Sequence, residues 1–384
     1  MPSQITGHAI AQATQAFADR MRARHPSFEP GAYRPLTGTD LITSKIGYGT
    51  YRVHDQSDEH VKTLKAAIES GCNLIDTSSN YTDGGSETLI GVVLRELIAE
   101  GKMQREELIV VSKVGYMQGQ NLDEAMRRER AGTPWQEVVK YMDGCWHCIH
   151  PDFLIDQWTR SAERLGLETI DVYLLHNAEY FLSDAHHRTP RGDINKIRDT
   201  FYERIYRAFM QMEQFVREGK IRYYGISSNT FPTPKTDFEH VSLNRIYDAA
   251  SKAAETVYGA RGASHFKVIQ LPYNLLEGGA LTEVNNGSDG KGVTVLEAAV
   301  ALGIGVLVNR PLNAVKNNRM NRLAQYPYDP NLDYQQAVST AADTLDEIES
   351  MLRSALENWG IFSQARRAGR RCRIPGRPPT AARD

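Results

Sequence analysis

Long apolar runs are missing from this sequence. The longest, Ala298 to Val308, holds 11 residues, too few to cross a bilayer as a helix. The N-terminus, MPSQITGHAIAQATQAFADRMRARH, has no basic start followed by an unbroken apolar core, so it does not read as a secretory signal. Cysteine is scarce: four in 384 residues do not make a disulfide scaffold. A strong charge of one sign is absent too. Lys and Arg number 45 against 47 Asp and Glu, a net charge of −2. That argues against a nucleic-acid or anionic-membrane binder acting through overall charge. The expectation is a soluble chain in a reducing, cytoplasmic setting.

The near-neutral total is unevenly spread. Residues 365–384 carry seven arginines and one aspartate, a net +6, which leaves −8 for the rest. The body is acidic, and the tail ARRAGRRCRIPGRPPTAARD shows no helix or strand period.

From Leu41 onward, short apolar runs alternate with amphipathic helical stretches. The runs begin with LITSKIGYGTYRV and NLIDTSSNY and continue with LIVVSKVGY, IDVYLLH, IRYYGISSN, FKVIQLPYN and IGVLVNRPL. Helix-like segments separate them, among them EHVKTLKAAIES, SETLIGVVLRELIAEGK and FYERIYRAFMQMEQFVREGK. In DFLIDQWTRSAERLGL, Leu154, Trp158, Ala162 and Leu165 recur at helical spacing and mark one buried face. Several runs are continuously apolar, as parallel strands buried on both faces must be. Repeated strand-then-helix order implies right-handed parallel crossovers. An open dinucleotide-binding sheet calls for Gly-x-Gly-x-x-Gly after its first strand. Here Gly47-Tyr48-Gly49 is followed by Thr50-Tyr51-Arg52, without the third glycine. The pattern therefore favours a (β/α)8 TIM-type barrel. Seven units are visible. A last amphipathic helix is expected over 335–359, and no eighth βα unit follows it. The expected organisation is a lead segment 1–40, a barrel over 41–360 with mouth insertions at 115–150 and 177–200, and a disordered tail 361–384.

Catalytic groups of such a barrel sit where strands end. The second run ends Ile75-Asp76-Thr77-Ser78-Ser79-Asn80-Tyr81, the third contains Ser112-Lys113, and the fourth ends Leu175-His176-Asn177. Singly these residues have ordinary readings: Asp76 as a cap, Tyr81 as a rim aromatic, His176 as a satisfied core histidine. Lys113 is harder to dismiss, because an unpaired lysine in an apolar strand is costly. Together they describe carbonyl reduction with an external hydride donor. Asp76 stabilises the Lys113 ammonium, which lowers the pKa of the Tyr81 phenol. The phenol then protonates a developing alkoxide, and His176 donates a hydrogen bond that orients the carbonyl.

From about Ile46 to Leu312 the sequence resembles the aldo-keto reductases. IDTSSNYTDGGSETLIGVVL resembles the family's aspartate–tyrosine segment, VVSKV its lysine strand, IDVYLLHN its histidine strand and GKIRYYGISSN its fifth-strand signature. The resemblance implies a (β/α)8 barrel that reduces a small-molecule aldehyde or ketone with NADPH. It implies Tyr81 as general acid, Asp76 and Lys113 as its tuning partners and His176 as carbonyl orienter. It implies Gly49, Thr50, Ser228, Asn229, Gln270, Asn309, Pro311 and Leu312 around the cofactor, with no metal. Two features depart from the family. Asn309-Arg310-Pro311-Leu312 stands where the family often has a nicotinamide-stacking tyrosine. Arg373-Ile374-Pro375-Gly376 is only faintly similar to an eighth-strand end, and the prolines after it prevent the helix that carries the adenosine-phosphate site. A second reading is therefore a barrel of this type that is catalytically impaired. A third is a metal or thiol module at Cys145 and Cys148, in Cys145-Trp146-His147-Cys148-Ile149-His150. Structural zinc sites usually pair two such knuckles, and here there is one.

Overall fold

A computed structural model describes residues 4–259, 264–287, 292–316 and 319–324, with scattered positions between 333 and 351. The fold lies in one compact unit, Met1–Ala324, and a second unit spans Gln325–Asp384. The tail at 361–384 and most of the helix expected over 335–359 lie outside the described residues.

Seven parallel strands form the central sheet: β1 (Tyr48–Gly49), β2 (Leu74–Asp76), β3 (Ile109–Val114), β4 (Ile170–His176), β5 (Ile221–Ser227), β6 (Phe266–Pro272) and β7 (Gly305–Asn309). They pair in sequence order from β1 to β7. Six helices connect them: α1 (Asp58–Glu69), α2 (Gly85–Ala99), α3 (Pro151–Leu165), α4 (Ile194–Arg217), α5 (Leu243–Tyr258) and α6 (Val295–Ala301). Their ends follow local chemistry. Pro151 opens α3, the His150 side chain accepts from Asp152 N–H, and Gly166 closes the helix in the left-handed region. Thr294 and Glu297 form a reciprocal capping box on α6.

The sheet is curled. β2 and β6 are four strand spacings apart, about 19 Å if the sheet were flat. Yet Gln270 Nε2 on β6 donates to Asp76 Oδ1 on β2 at 2.8 Å. The period of two along each strand divides the core accordingly. Leu74, Ile109, Val111, Val172, Leu174, Val268 and Leu307 face inward as one cluster. Ile75, Val110, Tyr173, Ile226 and Ile269 face outward against the helices. An incomplete (β/α)8 barrel results, with seven strands and six connecting helices among the described residues.

The first run, LITSKIGYGTYRV, is not one strand. Ile42–Ser44 turns back to pair antiparallel with Tyr33–Pro35, and the barrel begins only at Tyr48. Leu36 and Leu41 of this hairpin join the inward cluster and floor the sheet at the N-terminal ends of its strands. Asp171 of β4 ties the preceding segment down. Its carboxylate accepts from Ala9 N–H (2.7 Å), Val110 N–H (2.8 Å) and the buried Arg105 (2.8 Å).

Candidate active site

Asp76 ends β2, Lys113 lies near the end of β3 and His176 ends β4, each stepped two residues on from the strand before it, since Asp76 pairs with Val111 and Lys113 with Leu174. Tyr81 opens a short turn after β2. Thr82, Asp83 and Gly84 follow it in left-handed conformation, at φ 47°, 55° and 91°. Such a run is costly for a β-branched residue. It is held by Thr82 Oγ1 donating to Val53 O (2.9 Å) and by Asp83 accepting from Gln120 N–H (3.1 Å). Asn177, directly after His176, is also left-handed.

The four residues meet. Lys113 is fully buried, and its Nζ donates to Asp76 Oδ2 (2.8 Å), to Thr77 O (2.7 Å) and to the Tyr81 hydroxyl (3.3 Å). All three ammonium protons are therefore placed. Burial pulls the ammonium toward neutrality, but Asp76 and Tyr81 outweigh it and hold its pKa above the ordinary lysine value. For Tyr81 the balance differs from the sequence expectation. Burial pushes the phenol up, Lys113 only partly offsets it, and the net pKa is raised. The phenol is thus protonated at neutral pH. His176 stays a neutral imidazole, its pKa held well below the ordinary histidine value by burial and then by Lys113 and His147. Its ring lies 6.0 Å from the Tyr81 ring.

The insertion at 115–150 supports this centre. Tyr116–Met117, Val139–Met142 and Cys145–His147 form a small antiparallel sheet. From it His147, which burial keeps neutral down to about pH 4, bonds through Nε2 to the His176 carbonyl at 2.6 Å. Tyr116 packs edge-on to the His176 ring at 4.7 Å, accepts from Asn177 Nδ2 (2.9 Å) and bonds the Tyr180 hydroxyl (2.7 Å). The Cys148 thiol donates to Gln136 O, and burial raises it to about 12. Among the described residues Cys72, Cys145 and Cys148 are unpaired thiols, and no group of three or more His, Cys, Asp or Glu is placed to hold a metal. The second insertion carries a helix, Tyr180–Arg188, that buries Leu182 and Ser183.

The residues expected around a cofactor divide. Gly49 is exposed, and a Cβ there would meet open space. Ser228 is buried and bonded to Thr230. Asn229 donates its N–H to Glu179 Oε1 at 2.8 Å. The Asn309 amide oxygen is buried without a partner. That orphaned acceptor at the end of β7 fits a polar ligand group, as a nicotinamide amide would supply. Two others already have partners inside the protein. Thr50 Oγ1 donates to Asp76 O, and Gln270 spans Asp76 and Ser227. Pro311 and Leu312 stand exposed past β7.

The sequence model of the aldo/keto reductase family matches residues 45–356. The chain belongs to that family. Among curated relatives it is similar to the NADH-specific methylglyoxal reductase of Escherichia coli (28% identical; 37% of this chain and 40% of the relative). It is also similar to methylglyoxal reductase YeaE of the same organism (26% identical; 49% of this chain and 47% of the relative). The match thus spans less than half the length of these two relatives. Among solved structures, the holo aldo-keto reductase AKR11C1 of Bacillus halodurans is 20% identical with a TM-score of 0.44, covering 79% of this chain and 72% of its own. No helix among the described residues is long and apolar enough to cross a membrane.

Sequence reasoning gave no role to Ser78, Asn80, Tyr116, Gln118 and Glu179, and read His147 only within the metal or thiol segment. For His147 the signal was present: Cys145-Trp146-His147 alternates as a strand, which aims residues 145 and 147 to one face.

Proposed function

We propose that this chain reduces an aldehyde or ketone to an alcohol with NADPH, and that Tyr81 is the general acid. The observation that carries the reading is the chain of contacts from Asp76 through Lys113 to the Tyr81 hydroxyl. The dinucleotide, when bound, supplies the hydride. Asn229 and the orphaned Asn309 amide would hold its nicotinamide end, with Ser228 shaping the turn beside them. Burial keeps Tyr81 protonated until the carbonyl oxygen gains charge. The phenol then gives up its proton, and the Lys113 ammonium stabilises the phenolate left behind. Asp76 keeps that ammonium charged inside the fold, and His176 stands beside the same oxygen.

Methylglyoxal is the first carbonyl to assay, since two similar proteins bear that activity in their names. The test is Tyr81→Phe. Turnover is expected to fall by about 10²–10⁴-fold while NADPH binding, read by fluorescence enhancement, is kept. Unchanged turnover refutes the role of Tyr81. Titration with NADPH and NADH in parallel decides the cofactor, and no binding of either favours an impaired barrel.

A further inference from the structure

Strands β3 and β4 stay paired as far as Val114 and Leu175, one residue short of His176. Past that point the His176 carbonyl is met by a side chain from the insertion, His147 Nε2 at 2.6 Å. A carbonyl oxygen only accepts, so Nε2 carries the proton and donates it. Turning the ring over would put a C–H in that place and lose the bond. Gly115, where β3 gives way to the insertion, leaves room for the approach. A Cβ there would overlap His147 Nε2 and lie 2.9 Å from His176 O. His147 is buried, and burial keeps it neutral, so its one ring proton stays on this bond at neutral pH.

The peptide on the far side of that carbonyl needs holding. Asn177 stands in the left-handed region at φ 50°, a conformation that persists only where its surroundings fix it. Three hydrogen bonds do so. Asn177 N–H donates to Ser227 O on β5 (2.8 Å), the Asn177 amide bonds the Tyr116 hydroxyl (2.9 Å), and His147 takes the carbonyl. Two of the three come from the insertion. Tyr116 also packs edge-on against the rings of His176 (4.7 Å) and His147 (6.0 Å).

We propose that His147 is a positioning residue: through the main-chain carbonyl of His176 it fixes the strand-end peptide, and with it the place of the His176 imidazole beside Tyr81, which makes the insertion at 115–150 part of the reductase site. The proposal rests on the reductase reading above for its effect on turnover. His147 acts through His176 and not on the reacting atoms.

The test compares His147→Phe, which keeps a ring and loses the donor, with His147→Gln, whose amide N–H can reach the same carbonyl. With methylglyoxal and NADPH, His147→Phe is expected to lower kcat about a hundredfold, the cost of misplacing a catalytic group by about 1 Å. The NADPH dissociation constant should stay as in wild type, and His147→Gln should recover most of the loss. Hydrogen exchange, read without ligands, should be faster at Asn177 N–H in His147→Phe and unaltered at Val172 N–H in the middle of β4. A wild-type kcat in His147→Phe, an equal loss in both variants, or exchange that quickens equally at both amides overturns the proposal. A further measurement needs no loss of the donor. Ring ¹⁵N signals of His147 in the wild type, assigned with His147→Gln, should show Nε2 protonated, and an Nδ1–H tautomer overturns the proposal even if His147→Phe does not fold. Absence of wild-type turnover on every carbonyl overturns the reductase reading, whereas exchange and ¹⁵N signals still decide whether His147 holds the peptide.

Discussion

Gln270 and Asp76 are 194 positions apart in the chain, and Gln270 Nε2 donates to Asp76 Oδ1 at 2.8 Å. The same carboxylate accepts Lys113 on its other oxygen. Strand β6 thereby fixes, across the curled sheet, the charge that keeps Lys113 ionised. Gln270→Leu removes one bond to a charged acceptor. The expected loss is about 1.5–3 kcal/mol of stability, seen as a lower urea midpoint at unchanged slope. A wild-type midpoint would show the bond to be idle.

Asp76→Ala has a larger effect. It leaves the fully buried Lys113 without its counter-ion, which costs about 3–5 kcal/mol. Adding Lys113→Met removes the stranded charge, so the double variant should be more stable than Asp76→Ala alone. Chemical denaturation of all four members of the cycle measures the coupling. Additive losses would mean that the two side chains do not act as a pair.

Glu179 gives a pH signature. Burial pushes its carboxyl up to about 7 from an ordinary 4.5. The folded state therefore holds a proton that the unfolded chain has already released. Stability contributed by the protonated form is full below about pH 4.5 and is lost as pH rises through about 7. The shift corresponds to at most about 3 kcal/mol. Glu179→Gln keeps an acceptor for Asn229 N–H and cannot ionise. Its stability gain over wild type should appear at pH 8 and vanish at pH 4.5. A gain equal at both pH values would contradict the assignment.

Gly91 sits where α2 crosses the end of α3. A Cβ there would meet Leu165 O at 2.6 Å and Arg164 O at 2.7 Å, both backbone atoms. Gly91→Ala should cost about 1–3 kcal/mol by forcing the helices apart, against the usual gain of alanine in a helix. A rise in thermal midpoint would sink this account.

The strand-end order Asp76, Tyr81, Lys113, His176 was legible because a buried strand tolerates a lysine only for a reason. The barrel class was legible from runs apolar on both faces. Other features were not. The split of residues 41–53 into a hairpin strand and β1 depends on Leu36 and Leu41 finding the inward core, a tertiary fact. The net pKa of Tyr81 depends on how deeply the phenol is buried, which no spacing reveals. Ser78 reads as one more serine in a polar turn until His176, 98 positions on, is brought to it. Gln270 could be placed at a strand end, but its partners lie on other strands.

The hairpin floor has a consequence in time. Leu36 and Leu41 stopper the sheet at the N-terminal ends of its strands, opposite Tyr81. On the proposed reaction, reductant and carbonyl share one doorway, the loop side. Whichever of the two lies deeper must arrive first and depart last. On the proposed reaction, the floor that Leu36 and Leu41 close thus sets an order of binding.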